Sequence, residues 1–540
     1  MRSFVLPVAC FFLAGSRVFA QPEASYRPGV RVVDYALSID LPDSGSSIHG
    51  DATLTVRRTQ PVDTLTLDLR KLRVERITVD GRSTRFARTD STIGIPLPRG
   101  AGGTFKVRVV YTGAVTDGLI ARKDSAGRWT YFGDNWPNRA RYWIPSIDHP
   151  SQKATVSWSV TAPLGQTVIA NGSLVENRTL PMAQRRRVLA RWRESKPITP
   201  YLMVIAVAPL VKLDLGETAC GLAELQRCVP QSVYVAPEQK GILPGAFNRA
   251  GDIVQFFASR IGPFPYEKLA HVQSETRFGG MENATAIFYA DALFRKGGVS
   301  EGLIAHETAH QRFGDAVTER VWPDVWLSEG FATYFAALWN QHAHGDSAFR
   351  AELERLRSEI LSDTNAVPKR PVIDTIETDL LALLNVNSYQ KGGFVLHMLR
   401  SELGDSAFFA GIRGYYARHK HGTAVTADLQ VALQDASGRN LRSFFDQWLR
   451  RPGYPEVTVS WTGTDDARRT TVSVTQSGRF GYFELPLPVV LIDRNGARRQ
   501  FRIPVAARAV TRFDIDYPGA EIVRVIVDPD VTVLVRDLDR

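Results

Sequence analysis

The sequence predicts a multidomain α and β protein in which a mostly helical region lies between two regions of β structure. Three observations support this prediction. The chain has 540 residues, too many for one hydrophobic core, so about three domains of ~150 residues each are expected. Its apolar residues recur with a period of two near both ends and with a helical period in the middle. Its composition, 44% hydrophobic and 23% charged, excludes disordered, collagen-like and membrane-bundle chains.

The first twenty residues predict a secretory signal peptide. Arg2 gives a short positive start, the apolar run Phe4–Leu13 follows, and Val18–Ala20 is a small-residue cleavage site before Gln21. The apolar run is shorter than the ~20 residues that span a bilayer, which argues against a membrane anchor. We therefore expect an exported protein, periplasmic or extracellular, with no transmembrane segment in the mature chain.

The cysteine count agrees with export. Cys10 lies in the signal peptide, so the mature chain keeps an even number, Cys220 and Cys228. Secreted compartments permit disulfides, and we predict one between these two residues. Two buried free thiols are the alternative, and a zinc pair is disfavoured because no further cysteine lies nearby.

The net charge of +10 does not predict a nucleic-acid partner. The basic residues are scattered, and the longest basic run is Arg185–Arg187. We interpret that run as a solvated strand end and not as a binding patch.

Residues 21–210 predict the N-terminal β domain. Alternating apolar positions run from Val33 to Leu41, and tight turns are indicated at Asp80–Gly81 and Asn171–Gly172. The aromatic-rich segment Trp129–Trp143 does not alternate, so we expect a long loop that projects from the sheet.

Residues 211–452 predict the helical domain, and residues 453–540 a small β-sandwich. Helical spacing runs through Gly302–Phe313, Glu329–His344 and Ala348–Leu361. After Pro452 and Gly453 the β pattern returns, and Leu487–Ile503 has the pattern of a hairpin.

The segment His306-Glu307-Thr308-Ala309-His310 predicts a metal site in the helical domain. Side chains four apart lie on one helix face, so two imidazole nitrogens can reach one ion at ~2.0–2.1 Å. Glu307 is turned off that face and can act on a metal-bound water without being a ligand. Glu329 begins the next amphipathic helix and completes a His, His, Glu set with an open fourth position, the arrangement of catalytic zinc.

Further motifs resemble the aminopeptidase N family of gluzincin zinc peptidases, which includes membrane alanyl aminopeptidase and leukotriene hydrolase-like enzymes. The segment Gly279–Asn283 resembles the family's Gly-x-Met-Glu-Asn signature, and the Glu329 spacing is similar. The likeness covers essentially the whole mature chain, with additional matches at Gly262–Tyr266, Ser388–Gly392, Phe444–Leu449 and Gly453–Pro455.

The resemblance implies a β saddle, a thermolysin-like α/β catalytic domain and a C-terminal β-sandwich. We do not expect the helical C-terminal domain that many relatives carry. It also implies one zinc ion and peptide substrates with a free amino terminus. The zinc would activate the water that hydrolyses the first peptide bond.

The same resemblance implies roles for individual residues. Glu282 would hold the substrate α-ammonium by a charge-assisted hydrogen bond. Tyr389 would donate to the oxyanion. The substrate-binding segment would comprise Gly279, Gly280, Met281, Glu282 and Asn283.

One position departs from the family pattern. Many relatives carry a Gln or Glu in the N-terminal domain as a second amine anchor, and Trp136 stands at that place here. Asp134 or Asn135 could substitute, and the aromatic ring could narrow the pocket or stack on the substrate.

Alternatives remain at this stage. An endopeptidase could use the same zinc site if Glu282 were unimportant. A scaffold without zinc is disfavoured because all metal-site residues are present. Epoxide hydrolase activity belongs to a branch that carries the helical C-terminal domain, which we do not expect here. Nothing specific supports a surface-binding role for the last domain.

Overall fold

The computed structural model describes residues 26–99, 102–181, 186–219, 229–241, 247–463, 469–516 and 521–539. The predicted signal peptide and both cysteines of the predicted disulfide, Cys220 and Cys228, lie outside these residues. Within the described ranges, no helix has both the length and the apolar character needed to cross a membrane.

The N-terminal domain is built from β-strands. Its described strands are β1 (Val30–Asp40), β2 (Ser47–Arg58), β3 (Thr64–Asp68), β4 (Arg73–Val79), β5 (Arg82–Ser83), β6 (Ala87–Arg88), β7 (Thr92–Pro96), β8 (Gly103–Ala114), β9 (Leu119–Lys123), β10 (Trp129–Gly133), β11 (Ala154–Pro163), β12 (Thr167–Ala170), β13 (Ser173–Thr179), β14 (Arg187–Ile198) and β15 (Ile205–Ala208). They form an 8-stranded sheet in the order β13-β14-β11-β1-β2-β8-β4-β5, a 4-stranded sheet β12-β15-β10-β9 and a 3-stranded sheet β3-β7-β6.

The predicted alternation of β1 holds with one shift. Tyr35, Leu37 and Ile39 are buried, as expected for one face of a half-buried strand. A bulge between Val32 and Asp34 changes the register, so Val32 is buried in place of Val33.

The prediction of a projecting loop was wrong for the first part of its segment. Trp129–Gly133 is strand β10, paired on one side with β9 and on the other with β15. Four of its five residues are buried, so no alternation of apolar and polar residues marks it as a strand.

The central domain contains a 5-stranded sheet followed by helices. The strands β16 (Val211–Thr218), β17 (Val229–Val235), β18 (Leu269–Ser274), β19 (Gly280–Met281) and β20 (Ala286–Ala290) lie in the order β16-β17-β18-β20-β19. The short strands β21 (Val317–Glu319) and β22 (Gly422–Ala424) pair in parallel. The helices are α1 (Ala250–Arg260), α2 (Asp291–Arg295), α3 (Glu301–His310), α4 (Trp326–His344), α5 (Asp346–Ser362), α6 (Gly392–His419), α7 (Thr426–Ser437) and α8 (Arg442–Leu449).

The C-terminal domain consists of two small sheets. Its strands are β23 (Glu456–Gly463), β24 (Arg469–Gln476), β25 (Leu485–Asp493), β26 (Arg498–Val505), β27 (Val510–Asp516), β28 (Ile522–Val527) and β29 (Arg536–Asp537). One sheet has the order β27-β24-β23-β29 and the other β26-β25-β28, and the predicted hairpin is β25–β26. The predicted α and β architecture is confirmed.

Two lysines, the buried Lys153 and the half-buried Lys268, join the N-terminal domain to the central domain. Lys153 Nζ donates to the main-chain oxygens of Asp315 at 2.6 Å and Ala316 at 2.9 Å. Lys268 Nζ donates to the oxygens of Ala170 at 3.1 Å and Thr285 at 2.9 Å. A lysine ammonium that is withdrawn from solvent is stable only when its protons have acceptors. These contacts therefore hold the two domains together.

Candidate active site

His306, His310 and Glu329 converge at the face between α3 and α4. The Nε2 atoms of the two histidines are 3.1 Å apart, and Glu329 Oε2 lies 3.4 Å from His306 Nε2 and 3.3 Å from His310 Nε2. Ligand atoms at ~2.0–2.2 Å from one tetrahedral ion would be separated by about 3.3 Å, so this donor set fits a zinc ion. All three residues come together as the sequence predicted.

The loop after α3 orients His310. Its Nδ1 lies 3.1 Å from the main-chain oxygen of Phe313 and 3.0 Å from Ser328 Oγ, which leaves Nε2 to face the cluster. Gly314 has a φ of +119°, and a Cβ there would lie 2.4 Å from Ser328 Oγ and 3.1 Å from His310 Nδ1. Sequence reasoning did not single out Ser328, although its position directly before Glu329 is a signal that could have done so.

Glu307 lies against Gly280 of strand β19. A Cβ on Gly280 would be 2.1 Å from Glu307 Oε1, so the missing side chain leaves room for the carboxyl group. Burial raises the pKa of Glu307 well above its ordinary value; His310 opposes the shift and the carboxylates of Glu282 and Glu329 add to it. A carboxyl group with a raised pKa is suited to accept and return a proton near neutral pH.

The segment that carries Glu282 is the edge of the central sheet. Among the strands that the structure describes, β19 pairs only with β20 and so forms the edge of the sheet. Gly279, Gly280, Met281 and Glu282 all line the cavity beside it. Glu282 is buried, and burial raises its pKa to about 7; His310 lowers it and Glu329 raises it. An ammonium group placed beside this carboxyl would favour its charged form.

Gln311 holds this segment in place, which sequence reasoning missed. Its Nε2 donates to the main-chain oxygen of Glu282 at 2.7 Å, and its Oε1 accepts from the Thr285 N–H at 2.8 Å. Gln311 follows His310 directly, so these hydrogen bonds connect the end of α3 to the segment that follows β19. Asn283, predicted to bind substrate, is fully buried and does not line the cavity.

Tyr389 reaches the cluster from a π-helical turn, Asn387–Lys391. Its ring stacks on His306 with centroids 6.1 Å apart and planes at 14°. Burial raises its pKa well above the ordinary value, and the carboxylates of Glu329 and Glu282 act in the same direction. The phenol therefore keeps its proton and can donate a hydrogen bond.

The predicted zinc ligands, the predicted catalytic residues and the predicted substrate-binding residues other than Asn283 share one cavity of about 670 Å³. Besides the metal cluster, Glu282, Glu307 and Tyr389 line it. Trp136 and Phe278 also line it, with ring centroids 6.0 Å apart in an edge-to-face contact. The structure thus places Trp136 in the same cavity as Glu282.

Neither of the two polar residues before Trp136 is available to bind the substrate ammonium as a second anchor. Asp134 is fully buried, accepts from Arg139 Nη2 at 2.8 Å and accepts from Thr276 Oγ1 at 2.9 Å. Asn135 donates to the main-chain oxygen of Met203 at 2.7 Å and accepts from Trp143 Nε1 at 2.7 Å. Asp134 is held by residues of both domains and Asn135 by residues of the N-terminal domain, so neither takes the place that the sequence left open.

Comparison with known families decides the identity of this fold and site. The profile of the peptidase family M1 domain matches residues 246–448, and that of the peptidase M1 N-terminal domain matches residues 32–202. The chain belongs to peptidase family M1. The M1 profiles together cover more than half of the sequence, and the resemblance to the aminopeptidase N family is confirmed.

Several M1 relatives are similar along most of this chain. Aminopeptidase N of Streptomyces lividans is 27% identical over 469 residues, which cover 82% of this chain and 53% of that protein. The chain spans about half the length of the curated relatives it matches.

Solved M1 structures share the fold. An M1 zinc metallopeptidase mutant from Deinococcus radiodurans superposes with a TM-score of 0.68 and 25% identity, covering 79% of this chain and 95% of that one. Aminopeptidase A of Legionella pneumophila, solved with aspartic acid, superposes with a TM-score of 0.81 and 17% identity. That match covers 94% of this chain and 59% of the other. The expected cofactor, one zinc ion, agrees with the family and with the donor set of this M1 chain.

Proposed function

We propose that this M1 chain is an exported zinc aminopeptidase that removes the first residue from peptides with a free amino terminus. The observation that carries the proposal is the placement of buried Glu282 at the open sheet edge, in the same cavity as His306, His310 and Glu329. A carboxylate at a fixed distance from the metal site would hold the α-ammonium and restrict cleavage to the first peptide bond.

Each residue has a separate task in the proposed reaction. His306, His310 and Glu329 would hold the zinc ion, which supplies Lewis-acid activation of water and of the scissile carbonyl when bound. Glu307 accepts the proton of the attacking water and returns it to the leaving amine. Tyr389 donates its phenolic proton as a hydrogen bond to the oxygen that becomes negative.

The substrate backbone fits the open side of β19. An extended peptide can add to a sheet edge through main-chain hydrogen bonds, and Gly279 and Gly280 permit its close approach. Trp136 and Phe278 would form an aromatic wall next to the ammonium held by Glu282. Indole faces attract cations, so Trp136 would assist the one carboxylate anchor.

Export remains a proposal based on residues 1–20. Its direct check is the mass and first residue of the protein recovered from the periplasm or medium. A chain that begins at Gln21 is expected, and a chain recovered only from the cytoplasm with Met1 intact would oppose export.

The decisive experiment on activity compares aminoacyl-anilides with their N-acetylated forms, with and without a zinc chelator. We expect chelator-sensitive hydrolysis of the free-amine substrates alone. Hydrolysis of the acetylated forms at a similar rate would favour an endopeptidase. A full rate in Glu307→Gln, with zinc content unchanged, would contradict the proton-transfer role of Glu307.

A further inference from the structure

The turn that carries Tyr389 is closed by its own main chain and anchored to α5. The Lys391 N–H donates to the main-chain oxygen of Val386 at 2.9 Å, the five-residue spacing that closes a π turn. Gln390 Nε2 donates to Glu359 Oε2 of α5 at 3.0 Å. Tyr389 lies within this turn, directly before Gln390, and its ring stacks on His306.

The side chain of Lys391 points away from the cavity, toward the start of the C-terminal domain. It is fully buried, and its Nζ donates to the main-chain oxygens of Gly453 at 2.9 Å and Arg451 at 3.4 Å. No carboxylate pairs with it among the residues that the structure describes. A buried ammonium without a counter-ion depends on such carbonyl acceptors, so this contact is expected to be rigid.

The acceptors are themselves fixed by the C-terminal domain. The Arg451 guanidinium donates to the main-chain oxygens of Phe480 at 3.2 Å and Tyr482 at 3.2 Å. Gly453 has a φ of +76°, and a Cβ there would lie 2.1 Å from Phe480 Cγ. The loop before β25 therefore packs on Gly453 and binds the side chain of Arg451, the two residues whose main-chain oxygens accept from Lys391.

We infer that Lys391 is a positioning residue. By attaching the turn Asn387–Lys391 to the C-terminal β domain, it fixes the position of the Tyr389 hydroxyl relative to the metal cluster. One continuous set of contacts runs from Phe480 through Arg451 and Gly453 to Lys391, and from there to Tyr389. The C-terminal domain thereby influences catalysis, although none of its residues that the structure describes lines the cavity. This inference rests on the oxyanion role proposed for Tyr389.

A double-mutant cycle tests the inference. We would measure kcat, KM and zinc content for Lys391→Met, Tyr389→Phe and the double variant on a free-amine anilide. Tyr389→Phe should lower kcat by about 100-fold or more, as for loss of an oxyanion donor. Lys391→Met should lower kcat by at least about 10-fold and change KM by no more than about twofold. In the Tyr389→Phe background the same substitution should lower kcat by less than about twofold.

Gln447→Met is the matched control. Gln447 Nε2 donates to the main-chain oxygen of Glu484 at 2.9 Å, and its Oε1 accepts from the Glu484 N–H at 2.8 Å, so it also binds the C-terminal domain without lining the cavity. Its kcat should stay within about twofold of the wild type. Equal losses in Gln447→Met and Lys391→Met would overturn the inference, as would an undiminished effect of Lys391→Met in the Tyr389→Phe background.

A structure of the variant separates this inference from the proposed function. A crystal structure of Lys391→Met should show the Tyr389 ring displaced from His306, and an unchanged stack would overturn the inference even if the wild type cleaves no tested substrate. If Lys391→Met does not fold, Lys391→Gln carries the same cycle with a smaller expected loss. Full activity of Tyr389→Phe would contradict both the oxyanion role of Tyr389 and the inference about Lys391. It would not affect the proposal that Glu282 binds the substrate ammonium.

Discussion

Gly330 and Gly392 touch backbone to backbone. A Cβ added to Gly330 would lie 2.8 Å from the carbonyl carbon of Gly392. Gly330 follows the metal-site residue Glu329 on α4, and Gly392 begins α6 just after the turn that carries Tyr389. This contact therefore sets the separation between the metal cluster and the phenol, which come from different helices.

Gly330→Ala should impair metal binding and turnover together. The methyl group must push α4 and α6 apart, since main-chain atoms cannot rotate away, and such overpacking costs about 1–3 kcal/mol. We expect a weaker affinity for zinc and a lower kcat, measured by metal titration and anilide hydrolysis. Gly414→Ala in α6 is the control, because no neighbour among the described residues lies within 4 Å of a Cβ at that position and its kcat should not change. Wild-type zinc affinity in Gly330→Ala would refute this account.

Glu282 and Asp134 should respond differently to loss of charge. Glu282→Gln removes the carboxylate that we place on the substrate ammonium, and loss of a charged hydrogen bond of about 1.5–3 kcal/mol corresponds to roughly a 10- to 150-fold rise in KM. Asp134→Asn should lower stability but leave KM unchanged, because Asp134 is committed to Arg139 and Thr276. A larger rise in KM for Asp134→Asn would show that the anchor lies in the N-terminal domain.

Trp136→Ala should weaken binding of free-amine substrates. A desolvated cation over an indole contributes about 0.5–2 kcal/mol, so KM should rise by about 2- to 30-fold. The matched control is Trp129→Ala in β10, because Trp129 is partly exposed and does not line the cavity. An unchanged or lower KM in Trp136→Ala would mean that the ring only narrows the pocket.

The metal site could be predicted from sequence because its information is local. Two histidines one helical turn apart and a glutamate at the start of the next helix need only helix geometry to converge. The reach of Tyr389 could not be predicted, since it depends on the Gly330–Gly392 contact and on a π turn. Strand β10 was missed because burial on both faces removes the alternation that identifies strands.

The partners of the Asp134 and Asn135 side chains could not be predicted from the sequence either. Their partners include Thr276 and Met203, which are distant along the chain. A polar residue near a motif can serve the substrate or the fold, and only its partners distinguish the two roles. Here both side chains bind partners within the protein, and Trp136 lines the cavity.

His397 of α6 should make the protein sensitive to acid. Its Nε2 lies 3.1 Å from the main-chain oxygen of Val531, which can only accept, so Nε2 carries the proton. Its Nδ1 therefore accepts from the Tyr334 hydroxyl at 3.3 Å. Burial lowers the pKa of His397 to about 4, and the nearby Arg400 adds to the shift.

The sign of the effect follows from proton counting. An unfolded histidine takes up a proton near pH ~6.5, whereas folded His397 does so only near pH 4. Between these values the unfolded state binds more protons, so the free energy of unfolding decreases as the pH falls. The shift corresponds to about 3 kcal/mol of stability lost by the lower end of the window.

His397→Gln should flatten this dependence. An amide does not titrate and can still donate to the oxygen of Val531. We expect the variant to be less stable than the wild type at about pH 7 but to lose less stability on acidification to about pH 4.5. Urea unfolding of both proteins with a zinc chelator present measures this, because the chelator removes the acid-dependent release of metal. Parallel stability curves for the two proteins would rule out His397 as a source of the acid sensitivity.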